Sequence, residues 1–559
     1  MDAFTYSNLA NAAKSKVLAD FVSGVKAEYD SKYLNAPPRK LIYNDFKRIY
    51  IDGNRVDWQH PTHELVNELS CLRVLALTDD KYIEPLEQAI FELCNQFTWA
   101  WPAHSYDADG KFDYTFIDLR VAEYSCMLAE TVHVFGDKLS ADIRDRIKYS
   151  IKTKLIDNYE SRTFWWEEEV NNWLAVCACG IGISYLYLFP ERLDKVKDRL
   201  ISTFERFVSE IPDDGAYTEG IGYLDFAFSN FAMFCKTYET VVGQLPEIVN
   251  SPKLKSAVAF LNNCSFDGGL LIPFSDGWHE GATRNMGAVC AIKLLFPEII
   301  LPEERLLNKS CSILTYSLIA SAAEYGIEYA DSVQKGTKYY SSSQWLISKR
   351  EKYNFIAKCG NNSEMHNHCD VGAFEINVNG AKIIADPGAA VYSYKYFNDL
   401  TDTGRYSKET LLASSWGHSV PIVNGKAQYG YGAWTVKQPY AGKVLEAGDN
   451  VFKIDIAGVY PEGEVDSLIV EYQLFDDKVK VAYSAKGLKT GITFRFVSFV
   501  QPTVDDGVVS LGTAKLASVS GLKPIVDCPE YENKKSTVYT VDFEVKSSGD
   551  VSETFEIIL

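Results

Sequence analysis

The feature that most constrains this chain is a change in hydrophobic period near residue 340 of 559. Before it, apolar residues recur every three or four positions. ELVNELSCLRVLAL, IEPLEQAIFELCNQFTWAW, IDLRVAEYSCMLAETVHVF, SADIRDRIKYSIKTKLI, NNWLAVCACGIGISYLYLF, ERLDKVKDRLISTFERFVSEI, LDFAFSNFAMFCKTYETVV, GAVCAIKLLF and CSILTYSLIASAAEYG read as nine or ten successive helices. Thr62 is placed to cap the first of these, with Glu64 in its first turn. Several more apolar helices are followed by a more polar one. That order suits an α/α toroid (an incomplete barrel) whose inner ring is wrapped by an outer one. No fixed period supports a repeat solenoid. After residue 340 the alternation is two-residue. FEINVNGAKIIAD reads as a hairpin turning at Asn379-Gly380, and SLIVEYQLFDDKVKVAYSA as another turning at Asp476-Asp477. The expected architecture is a multidomain α and β chain: a toroid over 1–335, then an antiparallel β-sandwich over 336–559.

Composition excludes some classes. A net charge of −19 disfavours nucleic acid as a partner. It also gives no general attraction for a polyanion, which would need a locally basic cleft. No apolar run is long enough for a membrane span. MDAFTYSNLANAAKSKVLADF has no basic-then-apolar leader, so the expected location is cytoplasmic, or secreted or periplasmic if a leader has been cleaved. The 12 cysteines, at 71, 94, 126, 177, 179, 235, 264, 290, 311, 359, 369 and 528, form no CxxC pair and sit mostly in apolar runs, as reduced buried thiols do. Aromatic residues, 13% of the chain, suit both large cores and sugar stacking.

Four segments carry candidate chemistry. Glu364-Met365-His366-Asn367-His368-Cys369-Asp370 holds two of the eight histidines. On an extended segment their side chains share a face. Asp386, at the far end of the hairpin, returns beside His368, and His418 follows in SSWGHSVPIVNG. Two His and one carboxylate suit zinc or a similar divalent ion, while a metal-free polar sheet face stays open. Val170-Asn171-Asn172-Trp173 opens an apolar helix. A cap explains one Asn but not two. The loop from Asp213 and Asp214 through Tyr217, Glu219 and Gly220 to Tyr223 lies between helices, where function is favoured. WHEGATRN adds His279, Glu280 and Arg284.

Together, NNW, DGxxxEGxxY, HxHxD, ADPG and a late GHS followed by VNG, in this order from about residue 95 to 430, resemble the heparinase II/III-like polysaccharide lyases. The resemblance implies an α/α toroid joined to a β-sandwich, and β-elimination on a uronate-containing acidic glycan. Such glycans include glycosaminoglycans such as hyaluronan, chondroitin sulfate or heparan sulfate, with alginate or oligoalginate as the alternative. It assigns Tyr223 and His366 to catalysis and Asn172 to the uronate carboxylate. His368, Asp386 and His418 become ligands of one divalent ion, zinc or else manganese. The family's third ligand commonly stands in His-Asn-Thr, whereas here it is His418-Ser419. Some relatives carry a His where this chain has Asn171, which throws weight onto Tyr223 and His366. Asn171, Trp173, Tyr217, Glu219, His279 and Arg284 are expected to line the substrate. An unperturbed imidazole titrates at about 6.5 and a phenol at about 10, so His366 is the better base at neutral pH, for one C5 epimer, while Tyr223 is the acid to the leaving group and serves as base as well if a nearby cation or donor lowers its pKa. Two rivals remain. A glycoside hydrolase would use two carboxylates from among Asp213, Asp214, Glu219 and Glu280. A non-catalytic glycan-binding protein would need only the aromatic residues.

Overall fold

The computed structural model describes residues 2–37, 39–106, 110–169, 171–266, 270–272, 274–275, 277, 283–330, 333–364, 366–389, 411–429, 440–530 and 537–559. The chain forms two compact units. The first takes Met1–Ile211, Tyr223–Ala259 and Arg284–Ala330; the second takes Pro212–Gly222, Phe260–Thr283 and Asp331–Leu559. A division at 335 alone therefore misses two insertions. The loop 212–222 and the stretch 260–283 precede that boundary in sequence but pack with the β-rich unit.

The first unit is helical. Its most buried helix, Trp173–Leu188, carries apolar residues on every face and leaves no polar stripe for water. It lies against Leu119–Phe135 so closely that a Cβ on Gly180 would come within 2.2 Å of the Ala122 carbonyl oxygen. Glycine is what allows the two backbones to meet. Lys197–Glu210, which packs on the same helix, is amphipathic instead, burying Leu200, Thr203, Phe204, Phe207 and Val208. Tyr6–Ala13 packs on Thr315–Tyr325, so the first and last helices of the unit meet and the array closes on itself. Arg73, fully buried, links three helices: it donates to Glu130 at 2.8 Å and lies 4.0 Å from the ring centre of Tyr316. Desolvating this charge is tolerable because a carboxylate and an aromatic face meet it. The helix expected to begin at Thr62 begins at Val56 and runs to Thr78 with Pro61 inside it. Proline this near the N-terminus removes one hydrogen bond, and the Thr62 hydroxyl turns back to the Gln59 carbonyl at 2.8 Å instead of capping.

In the second unit, five antiparallel strands follow one another as a meander: Gly336–Tyr340, Trp345–Lys349, Asn354–Lys358, Phe374–Val378 and Ala381–Ile384. Asn379 and Gly380 turn the last hairpin with φ of 49° and 83°, the left-handed pair that a two-residue hairpin needs. An eight-stranded and a four-stranded antiparallel sheet accompany it, and two two-stranded pairs, Ser265–Phe266 with Leu270–Leu271 and Arg284–Asn285 with Leu307–Asn308, make up the rest of the described β-structure. Ser467–Leu474 alternates strictly between half-buried and buried, as expected of a strand with one face on a core. Phe355, Phe374, Phe452, Tyr472, Phe494, Phe496 and Phe555 come from all three sheets and share that core. Each such buried ring contributes roughly 1.5–3 kcal/mol.

Candidate active site and metal centre

Three buried side chains of the second unit converge. His368, Asp386 and His418 each offer one ligand atom, all within 4.8 Å of one another. Asp386 lies two residues beyond the hairpin strand Ala381–Ile384, so the hairpin returns it beside His368. The surroundings orient two of the three donors, His418 and Asp386. His418 Nε2 is 2.8 Å from the Leu412 carbonyl, which takes that proton and turns Nδ1 toward Asp386 Oδ2 at 3.2 Å. Gly388 N–H donates to Asp386 Oδ1 at 2.8 Å, and Asp386 N–H donates to Glu375 at 3.2 Å. Glu375 is itself buried and bonded by Lys382 and Asn377. Burial alone would raise the Asp386 pKa, but the charge and hydrogen bond of His418 and the charge of His368 hold it at about 2. Burial likewise disfavours charge on His418, and Asp386 and Asp370 override this and raise it. A histidine oriented through a backbone carbonyl, with its other nitrogen facing a buried carboxylate and a second histidine, is a donor set that could hold a divalent metal. The residues fit the ion expected for them.

His366 is not part of this cluster. The expectation of a shared extended face fails because His366 has φ of 57°. A left-handed residue reverses the alternation, so His368 goes into the core and His366 is left half-buried at the surface. Left-handed non-glycine residues gather at functional sites. Nearby, the buried Lys358 ammonium pairs with Asp370 at 2.7 Å, and Glu364 accepts from Asn361 at 3.0 Å. Burial pushes the Glu364 carboxyl up to about 7, with Lys358 opposing and Asp370 adding to the rise. Lys358 and Glu364 were not expected to take part. Lysine in a strand and glutamate in a loop carry no spacing signal.

The loop from Asp213 to Gly220 belongs to this same unit. Asp214 accepts from Ser342 N–H at 3.0 Å, and Ser275 Oγ donates to the Thr218 carbonyl at 3.1 Å. Gly220 has φ of 98°, a value that side-chain-bearing residues avoid, and its Cα faces the Phe274 carbonyl. This accounts for the glycine in the EGxxY pattern. Tyr217 Oη donates to Glu219 at 3.3 Å, and both are buried.

In the first unit the two asparagines divide their labour. Asn171 Oδ1 accepts from Trp173 N–H at 2.9 Å and so opens the helix. The Asn172 side chain makes no cap bond, which leaves its carboxamide for another task. Tyr223 sits half-buried in the first turn of Ile221–Val242. Arg284, expected to face substrate, is buried instead and forms two bonds to Asp225 at 2.7 and 2.6 Å. A guanidinium so paired ties the short strand Arg284–Asn285 to the helix Ile221–Val242, and sequence could not show it because Asp225 is 59 residues away. His279 and Glu280 lie outside the described residues.

These features define a two-unit architecture, an α/α toroid and an antiparallel β-sandwich with a buried His2Asp centre. Residues 333–455, which contain His366, His368, Asp386 and His418, match the model of the family described as Heparinase II/III-like, C-terminal. No curated protein sequence matches the chain. Among solved structures, a heparinase III has a TM-score of 0.64 at 15% identity, over 94% of this chain and 78% of that one. Heparan sulfate lyase from Pedobacter heparinus gives 0.55 at 14% identity, over 99% and 89%. The Streptomyces coelicolor A3 chondroitin AC lyase in complex with chondroitin sulphate gives 0.58 at 9% identity, over 99% and 82%. The chain shares their fold.

Proposed function

We propose that the protein is a polysaccharide lyase, a carbon–oxygen lyase that cleaves a uronate-containing glycosaminoglycan by β-elimination. One observation carries this reading: the buried His368, Asp386 and His418 centre and His366 all lie within the heparinase II/III-like domain of a chain sharing its fold with heparan sulfate and chondroitin lyases. The chemistry matches the residues. The C5 proton of a uronate is weakly acidic because the neighbouring carboxylate is already negative. Asn172 donates to that carboxylate without adding charge and stabilises the enolate that develops. The family resemblance assigns removal of the C5 proton to His366 and protonation of the departing oxygen to Tyr223, the C4–O bond breaking as the C4–C5 double bond forms.

His368, Asp386 and His418 would hold a divalent ion, with zinc best suited to two imidazoles and a carboxylate. When bound, the ion ties the hairpin to the segment around His418. Alginate is the second substrate class, since it offers the same C5 proton and carboxylate.

The test is a panel of heparan sulfate, chondroitin sulfate, hyaluronan and alginate, followed in the ultraviolet. A rise in absorbance from unsaturated uronate is the expected result. Chain shortening with no rise would point to hydrolysis and sink the lyase reading.

A further inference from the structure

The first unit contains an oriented imidazole that no motif signalled. Asp118 is fully buried at the start of Leu119–Phe135. Its Oδ1 accepts from Arg120 N–H and Val121 N–H at 3.0 and 2.9 Å, and its Oδ2 accepts from Trp101 N–H at 2.9 Å. A carboxylate surrounded by donors requires its fourth partner to donate as well. That partner is His104 Nδ1, at 2.7 Å. One proton therefore sits on Nδ1, and whenever the ring holds only that proton Nε2 offers a lone pair. Among the described residues no hydrogen bond reaches Nε2. As a clamp, His104 would be redundant, because Trp101 N–H already ties this segment to the same oxygen.

The surroundings suit a sugar. The His104 ring lies 5.0 Å from that of Trp173, the residue directly after Asn172. Trp173 lies 5.1 Å from Trp165, which is 43% exposed although it is one of the largest apolar side chains. On the other side, Trp101 is 5.6 Å from His104. An imidazole with an acceptor nitrogen, packed against Trp173, which follows the asparagine assigned to the uronate and itself lies against the exposed Trp165, matches a pyranose: a flat apolar face with hydroxyls at its edge.

We propose that His104 is a substrate-binding residue of the helical unit. Its Nε2 accepts the hydrogen of a hydroxyl on an acidic oligosaccharide whose ring stacks on Trp165 and Trp173. Asp118 is the positioning residue that fixes the tautomer. The proposal rests on the reading of Asn172 as the carboxylate-binding group.

Tryptophan fluorescence, titrated with saturated heparan sulfate and chondroitin sulfate hexasaccharides, reads it directly on the full-length protein. His104→Ala should raise Kd about tenfold, equivalent to ~1.4 kcal/mol. His104→Gln, which keeps an acceptor, should recover part of the loss, and Trp165→Ala should weaken both binding and the fluorescence change. On the hexasaccharide that is cleaved, the effect of His104→Ala should fall mainly on KM. Three outcomes overturn the proposal: His104→Ala binding as wild type does; a fall in kcat with Kd and KM unchanged; or loss of binding that tracks a loss of folded protein by circular dichroism and is not relieved by Gln. Wild-type protein that binds neither hexasaccharide overturns it as well. Binding without unsaturated product defeats the lyase reading alone, because the effect of His104 on Kd is still measured.

Discussion

At the scale of single residues, adjacent identical side chains have separable roles. Asn171 accepts from the Trp173 N–H, whereas the Asn172 side chain makes no cap bond. Asn171→Ala should therefore cost about 1 kcal/mol of stability, read from denaturant unfolding, through loss of a helix-opening bond. Asn172→Ala should leave stability nearly unchanged and lower kcat by about 10²–10³, the usual loss for one donor to a developing oxyanion. The reverse pattern would exchange the two roles. Glu364 gives a pH signature. Its native carboxyl titrates at about 7, above the usual carboxylic range, so the folded state holds the proton more tightly than the unfolded state does. Between about pH 4.5 and 7 the unfolded chain then binds fewer protons, and stability falls as pH rises through that window. Glu364→Gln avoids this ionisation. Its melting temperature should exceed that of wild type by more at pH 8 than at pH 5; a gap constant between those values would count against the burial account.

At the scale of elements, two helical glycines make opposite predictions. Gly180 meets the Ala122 carbonyl, a backbone atom that cannot step aside. Gly180→Ala should cost about 1–3 kcal/mol through overpacking. Gly24, in Ala19–Lys32, has nothing within 4 Å of a Cβ, so Gly24→Ala should stabilise by up to about 1 kcal/mol. Thermal melts of the two variants should move in opposite directions. Most elements were legible in advance because each expresses its own period. The hairpins at Asn379-Gly380 and Asp476-Asp477 pair as read, since turn chemistry and alternation are local. The start of Val56–Thr78 was not, because Pro61 and Thr62 look like a boundary and tertiary packing carries the helix across them.

At the scale of the molecule, the proposed metal site, His368, Asp386 and His418, draws on three separate stretches of chain, so occupancy should stabilise the whole arrangement. An ion at a hundred times its Kd adds about 2.7 kcal/mol. Zinc should raise the melting temperature of the metal-free protein, a chelator should lower that of the loaded one, and both responses should vanish in His368→Ala. Elemental analysis of the purified protein that finds no divalent metal, together with melting that ignores zinc and manganese, would refute a metal role for these residues.

The amino-acid sequence by itself determined the two architectures, the hairpin turns and the residues of the His2Asp centre, because period, turn propensity and donor chemistry are properties of short stretches. Tertiary structure alone decided which side chains meet. It paired Arg284 with Asp225, separated His366 from His368 through a left-handed residue, packed the loop 212–222 with the β-rich unit, and set His104 against Asp118. Each of these depends on a partner brought close by folding or on a backbone angle, and neither leaves a period in the sequence.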